Sequence, residues 1–271
     1  MKIALVCMAA GSSSRFGGRP KQFAIVGPKG ETLIEYSMNQ ALKAGFDKII
    51  FIVSEKTNDG LKKIFGQNYK GTQIFYVFQK FDEKIRDKPW GTTDALCSAK
   101  NLIDCPFVVC NTDDIYGEEA FTLLRDHLND KRSEATISYD LLRTLPPTGE
   151  VNRGIFKLNT DRTVSSITEN FGVSKANIES RGLRPDSQTN VNLFALHPET
   201  IELLSQILQN FKKEHIENRK IECLLPTDLS SLIKSGRIKM HCYKTKEKWS
   251  GVTYPEDEKI VRENIRNFTS I

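Results

Sequence analysis

The sequence predicts an α/β fold: a mostly parallel central sheet flanked by helices, with an antiparallel portion in the second half. Three observations predict it. Short apolar runs alternate with amphipathic helical stretches through the first 130 residues, a rhythm that suits parallel strands joined by crossover helices. The first apolar run stops abruptly at Ala9-Ala10-Gly11-Ser12-Ser13-Ser14, as a strand does when it feeds a tight loop. After residue 130 the apolar runs follow one another through polar loops, which suits antiparallel pairing.

In chain order, residues 2–8 read as a buried strand. Residues 32–44 read as a helix, with Ile34, Met38, Ala41 and Leu42 on one face and Gly45 as its C-cap. Strands follow at 48–53 and 73–78, a helix at 92–101, a strand at 106–110 and a helix at 118–128. Strands are then expected at 135–142, 151–158, 164–168 and 191–196. A helix opens at Pro198 with Ile201, Leu204, Leu208 and Phe211 along one stripe. A strand at 238–243 and a terminal helix over 255–268 complete the chain. No stretch reads as a linker, so residues 1–271 are expected to form one domain built on a shared sheet.

Composition is that of an ordinary globular chain, with 39% hydrophobic and 27% charged residues among 271. The net charge of +5 is spread along the chain, a solvated surface and not a nucleic-acid face. Six cysteines form no C-x-x-C pair, and Cys7 and Cys110 lie inside apolar runs. They read as buried thiols in a reducing cytoplasm. The single Lys2 and the short apolar run after it make a poor export signal, and no stretch reaches the roughly 18 apolar residues of a membrane span. Oligomeric state stays open, a homo-oligomer included.

Three constellations carry chemistry. In the first, Ala10, Gly11, Ser12 and Ser13 form a loop of small residues whose N–H groups can converge on phosphate, and Arg15 and Lys21 add full positive charges. No Gly-Lys-Ser/Thr ends the loop and no G-x-G-x-x-G is present, which excludes the P-loop and the dinucleotide fingerprint. In the second, Gln79 ends a strand and Gly91-Thr92 opens a helix; the amide suits a base edge and the glycine a close approach. In the third, Asp113 and Asp114 follow a buried strand, where two carboxylates call for a cation; Mg2+ takes carboxylate and phosphate oxygens together.

The opening Ala9-Ala10-Gly11 with Arg15 and Pro20-Lys21 resembles the nucleotidyltransferases that join a nucleoside triphosphate to a sugar 1-phosphate and release pyrophosphate. The resemblance covers most of residues 1–255 in order and is strongest in the first 120. It implies a glycosyltransferase-A-like Rossmann variant, with residues 1–130 as the nucleotide-binding half and 131–271 as the sugar-phosphate half. It implies that Arg15 and Lys21 stabilise the leaving pyrophosphate, that Asp113 holds magnesium, with Asp114 beside it, and that Gln79 and Gly91 meet the base and ribose. It also puts Gly154, Glu169 and Asn192 at the sugar, through the segments 149–155, 166–169 and 190–194.

The chain departs from the family pattern at three places. Ser13 stands where many members have a second glycine. Asn170-Phe171 follow the glutamate where Lys-Pro is common, and no acid follows Trp249 where a second magnesium aspartate often lies. Lys248, Arg181 or Arg184 could replace the missing cation. The Pro20-Lys21-Gln22-Phe23 run also resembles the cytidylyltransferase of isoprenoid synthesis, which acts on a sugar-alcohol phosphate, but its His-Asp-Ala-Ala-Arg segment is absent. The opening loop also resembles molybdopterin nucleotidyltransferases, which are shorter by a whole lobe. A regulatory subunit that binds nucleotide sugars without catalysis is the reading from a different class.

Overall fold

A computed structural model describes residues 1–11, 20–252 and 256–268. Its centre is β1 (Ala4–Met8), whose five residues are all buried. It runs parallel to β2 (Lys48–Val53), and β2 runs parallel to β4 (Thr72–Phe78); the short β3 (Asn68–Tyr69) pairs antiparallel to β4 at the edge. On its other side β1 runs parallel to β5 (Phe107–Asn111). Alternation along β1 decides which layer each side chain enters: Ile3, Leu5 and Cys7 go to one core, Ala4, Val6 and Met8 to the other.

The first core is covered by α1 (Leu33–Ala44), α2 (Glu55–Phe65) and α4 (Glu118–Asp130), the second by α3 (Thr92–Ser98), α5 (Pro198–Glu214) and α6 (Leu225–Lys234). A capping box starts α1, in which Glu35 accepts from the Thr32 N–H at 2.9 Å and Thr32 Oγ1 accepts from the Glu35 N–H. Gly45 ends it in the left-handed conformation, as expected. Two of these helices, α2 and α6, are not anticipated by the sequence. Most of α2 is polar and it carries Gly60 in its interior. A Cβ at Gly60 would lie 2.5 Å from the Phe23 ring, so the glycine is there to seat that ring.

The second half supplies β7 (Glu134–Asp140), β8 (Val151–Leu158), β9 (Val164–Val173), β10 (Gln188–Asn190), β11 (Phe194–Leu196) and β12 (Met240–Lys244). One eleven-stranded sheet runs through both halves in the order β3-β4-β2-β1-β5-β11-β7-β10-β8-β9, with β12 parallel to β7. Of the strand expected over 191–196 only Phe194–Leu196 is strand, and a separate strand ends just before it at Asn190. The backbone breaks at 191–193, where Asn192 takes φ 57°, and the two strands both pair with β7 but have different outer neighbours, β5 for β11 and β8 for β10. Smaller differences follow. The helix expected over 92–101 ends at Ser98 before a 3-10 turn, and the strand expected to stop at 168 continues to Val173. A two-stranded ribbon, β6 (Asp114–Ile115) with β13 (Ser250–Gly251), ties the C-terminal segment to the acid pair, and α7 (Asp257–Phe268) follows.

Candidate active site

The carboxyl ends of β1 and β5 lie side by side, with Met8 paired to Asn111. In sheets of this kind ligands bind at that edge. The chain leaves β1 through Ala10 and Gly11; Ser12, Ser13 and Arg15 lie outside the described residues. It resumes at Pro20 with a 3-10 turn, Lys21–Phe23. Thr112 Oγ1 donates to the Met8 carbonyl at 3.1 Å, which locks the β5 exit loop onto β1. The result is that Lys21 Nζ stands 3.2 Å from Asp113 Oδ2, across 92 positions of sequence.

The two neighbouring acids have different surroundings. Asp113 stays one-third exposed to the cleft. Asp114 is buried: its Oδ2 accepts from Asn111 Nδ2 at 2.9 Å and lies 3.1 Å from the Tyr116 hydroxyl. Burial first, and then the Asp113 charge, push the Asp114 carboxyl up to about 7. Gly251, its partner in the ribbon, packs so closely that a Cβ would lie 2.5 Å from Asp114 Oδ1 and 2.4 Å from the Trp249 ring. The C-terminal segment therefore reaches the acid pair through Ser250 and Gly251, neither of them an acid.

The far end of the cleft, away from Lys21, is built on the sheet's second half. Gly154 on β8 stands in register between Glu169 on β9 and Asn190 on β10. A Cβ there would meet Glu169 Oε1 at 2.9 Å, so the glycine makes room for the carboxylate. Burial raises the Glu169 carboxyl, opposed by the Arg153 charge. Three buried polar atoms, Asn190 Nδ2, Asn192 Oδ1 and Trp249 Nε1, have no hydrogen-bond partner among the described residues. Orphaned groups of this kind are costly and call for an outside partner, and all three belong to residues lining this cleft.

Residues 5–227 match the family model described as nucleotidyl transferase. The chain belongs to the nucleotidyl transferase family. No curated protein sequence matches it. Solved structures do match in fold: the inositol-1-phosphate CTP transferase from T. maritima, at 15% identity over 100% of this chain and 97% of that one, with a TM-score of 0.70; a putative glucose-1-phosphate thymidylyltransferase from Bacillus anthracis, at 16% over 98% and 96%, TM-score 0.69; and a UDP-glucose pyrophosphorylase, at 16% over 99% and 100%, TM-score 0.69. The fold class and the enzyme class expected from the opening loop both stand.

In this nucleotidyl transferase the residues expected at the base lie at the ends of β4 and the start of α3. Gln79 lines a cleft with Ala10, Ser54 and Phe78. Its Nε2 donates to the Gly91 carbonyl at 3.0 Å and to Asp94 Oδ2 at 2.8 Å. Gly91, at φ 106°, is approached by protein: a Cβ would lie 2.4 Å from the Cys223 carbonyl oxygen. The glycine is thus explained by the 222–223 backbone crossing it. Thr92 Oγ1 accepts from the Leu225 N–H at 2.9 Å and so caps α6, while the residue still borders a cleft shared with Glu169 and Asn192.

Sequence reasoning missed Arg153. Of the three cations proposed for the missing charge, Arg184 pairs with Asp186 on the surface. Arg153 lines the cleft itself, held by the Thr144 carbonyl at 2.5 Å and Thr144 Oγ1 at 3.2 Å and placed 5.0 Å over the Trp249 ring. Burial lowers it to about 10, opposed by the charges of Asp114, Glu169 and Asp113. Its signal was its place beside Gly154, on the strand already assigned to the sugar. Among the described residues no group of three or more His, Cys, Asp or Glu could hold a metal, and no helix is long and apolar enough to cross a membrane.

Proposed function

We propose that the protein joins a nucleoside triphosphate, with a pyrimidine base, to a sugar 1-phosphate, giving a nucleotide sugar and pyrophosphate in the cytoplasm. The observation that carries this reading is the meeting of Lys21 and Asp113 at 3.2 Å, at the mouth of a cleft that continues to Gly154 and Glu169. A phosphate oxygen of the acceptor attacks the α-phosphorus, and the bond to the β-phosphate oxygen breaks as pyrophosphate leaves. Little covalent work falls to the protein, so positioning and charge neutralisation carry the rate.

Lys21, with Arg15 from the opening loop, takes up charge on the departing phosphates. Asp113 suits Mg2+, which is bound through one or two carboxylates with water and substrate phosphates completing its shell; Asp114, engaged by Asn111 and Tyr116, stands behind it. When bound there the ion supplies charge neutralisation to phosphate oxygens. At the acceptor end, Arg153 offers the cation and Glu169, Asn190 and Asn192 offer hydroxyl partners. Six free thiols suit a reducing compartment, and synthesis of activated sugars for surface polysaccharide is the fitting role.

The test mixes the protein with each triphosphate, Mg2+ and a panel of sugar and polyol phosphates, and follows pyrophosphate. Lys21→Ala and Asp113→Ala are expected to slow release at least about a hundredfold, as loss of a transition-state charge contact does, with the fold retained. Near-normal rates in either variant would overturn the assignment. Tight nucleotide-sugar binding with no pyrophosphate from any pair would make the protein a binding subunit instead.

A further inference from the structure

The amide of Gln79 is not free to choose what it presents. Its Nε2 has two protons and both are used inside the protein, one on the Gly91 carbonyl and one on Asp94 Oδ2. Both partners are acceptors, so the orientation of the amide follows from chemistry alone. Asp94 is itself fixed: it is 6% exposed and its Oδ1 pairs with Lys212, whose ammonium also sits 5.8 Å over the Trp90 ring. Oε1 accepts no hydrogen bond from any described residue. It is the one polar atom the Gln79 side chain has left for the cleft it lines with Ala10, Ser54 and Phe78.

We propose that Asp94, anchored by Lys212, is a positioning residue that holds Gln79 with only Oε1 toward the nucleotide, making the base reader an obligate hydrogen-bond acceptor. The base must then turn an N–H toward Gln79, such as the exocyclic amine of cytosine or the ring N3–H of uracil. Two-point pairing, in which the amide also donates to a base oxygen or ring nitrogen, is closed off. The inference rests on the nucleotide-binding reading above and deepens it.

The probe is whichever common ribonucleoside triphosphate binds the full-length protein most tightly, set against its counterpart lacking the N–H. That counterpart is 2-pyrimidinone ribonucleoside triphosphate for a pyrimidine and unsubstituted purine ribonucleoside triphosphate for a purine. Affinities are measured by calorimetry on wild type, Asp94→Ala and Gln79→Leu. The wild type is expected to bind the counterpart about tenfold or more weakly, the usual consequence of an acceptor left unpaired. In Asp94→Ala one Nε2 proton is freed, while the Gly91 carbonyl keeps the other, and the freed proton can be donated to the ring nitrogen, so the ratio falls toward one; in Gln79→Leu the acceptor is gone and the ratio falls as well. A wild-type ratio near one, a Gln79→Leu ratio unchanged from wild type, or an Asp94→Ala that weakens both nucleotides in parallel would each overturn the inference. The Gln79→Leu arm keeps the test decisive if Asp94→Ala fails to fold. If no triphosphate binds at all, the nucleotidyl-transfer reading itself fails, and this inference with it.

Discussion

Replacing Gly91 by alanine separates two reasons for a glycine at the start of α3. In the structure the residue sits at φ 106° and ψ −168°, a region that only glycine occupies readily; holding another residue there costs about 1–3 kcal/mol. The new methyl would also lie 2.4 Å from the Cys223 carbonyl oxygen and 2.9 Å from its nitrogen. Overpacking of that kind costs a further 1–3 kcal/mol or so. With an unfolding entropy of about 2.1 cal/mol/K per residue, the 271 residues turn a total of roughly 2–6 kcal/mol into a Tm lowered by about 4–10 °C. Scanning calorimetry of the variant without nucleotide measures it. An unchanged Tm with nucleotide affinity lost would refute the reasoning, because the glycine would then serve the ligand and not the crossing backbone.

Two further substitutions test the surroundings of the cleft. Arg86 is buried and donates to the carbonyls of Lys88, Pro89, Asn218 and Ile221 while lying 3.6 Å over the Trp90 ring. Arg86→Met is expected to cost at least about 3 kcal/mol, since each carbonyl left unpaired costs about 1–3, and a denaturant midpoint near wild type would contradict that. Asp228 is buried against Thr93 and Cys223, and burial raises its carboxyl. A carboxyl raised on folding takes stability away as pH climbs from the ordinary range of about 3.9 toward the folded value. Asp228→Asn is therefore expected to melt higher than wild type at pH 7.5, with the gain shrinking toward pH 4; thermal melts across that range check it, and a gain that grows at low pH would reverse the sign.

Much of the sheet was legible because its central strands are buried on both faces. Runs such as Ile49-Ile50-Phe51-Ile52-Val53 leave no other reading. Lys21 and Asp113 were legible for a related reason, since each closely follows such a strand or its exit loop. What stayed hidden depends on tertiary contacts. Helix α2 has little apolar face, and its Gly60 makes sense only under Phe23. The break at 191–193 was hidden because Val191, Leu193 and Ala195 keep a strand's alternation through it, while the reason for the break is a pair of neighbouring strands far away in sequence. Asp94 carried no signal of its own in the sequence, because its grip on Gln79 and Lys212 joins three separate elements.

The break around Asn192 has a mechanical consequence. Because the strands on either side of it are stitched to the same β7 and reach out to β5 and β8 respectively, the strand that leads to Asp113 and the strand that carries Gly154 are tied to one common strand. In the proposed reaction the spacing between the two ends of the cleft is then set by covalent and ladder geometry, like the jaws of a fixed-gap calliper.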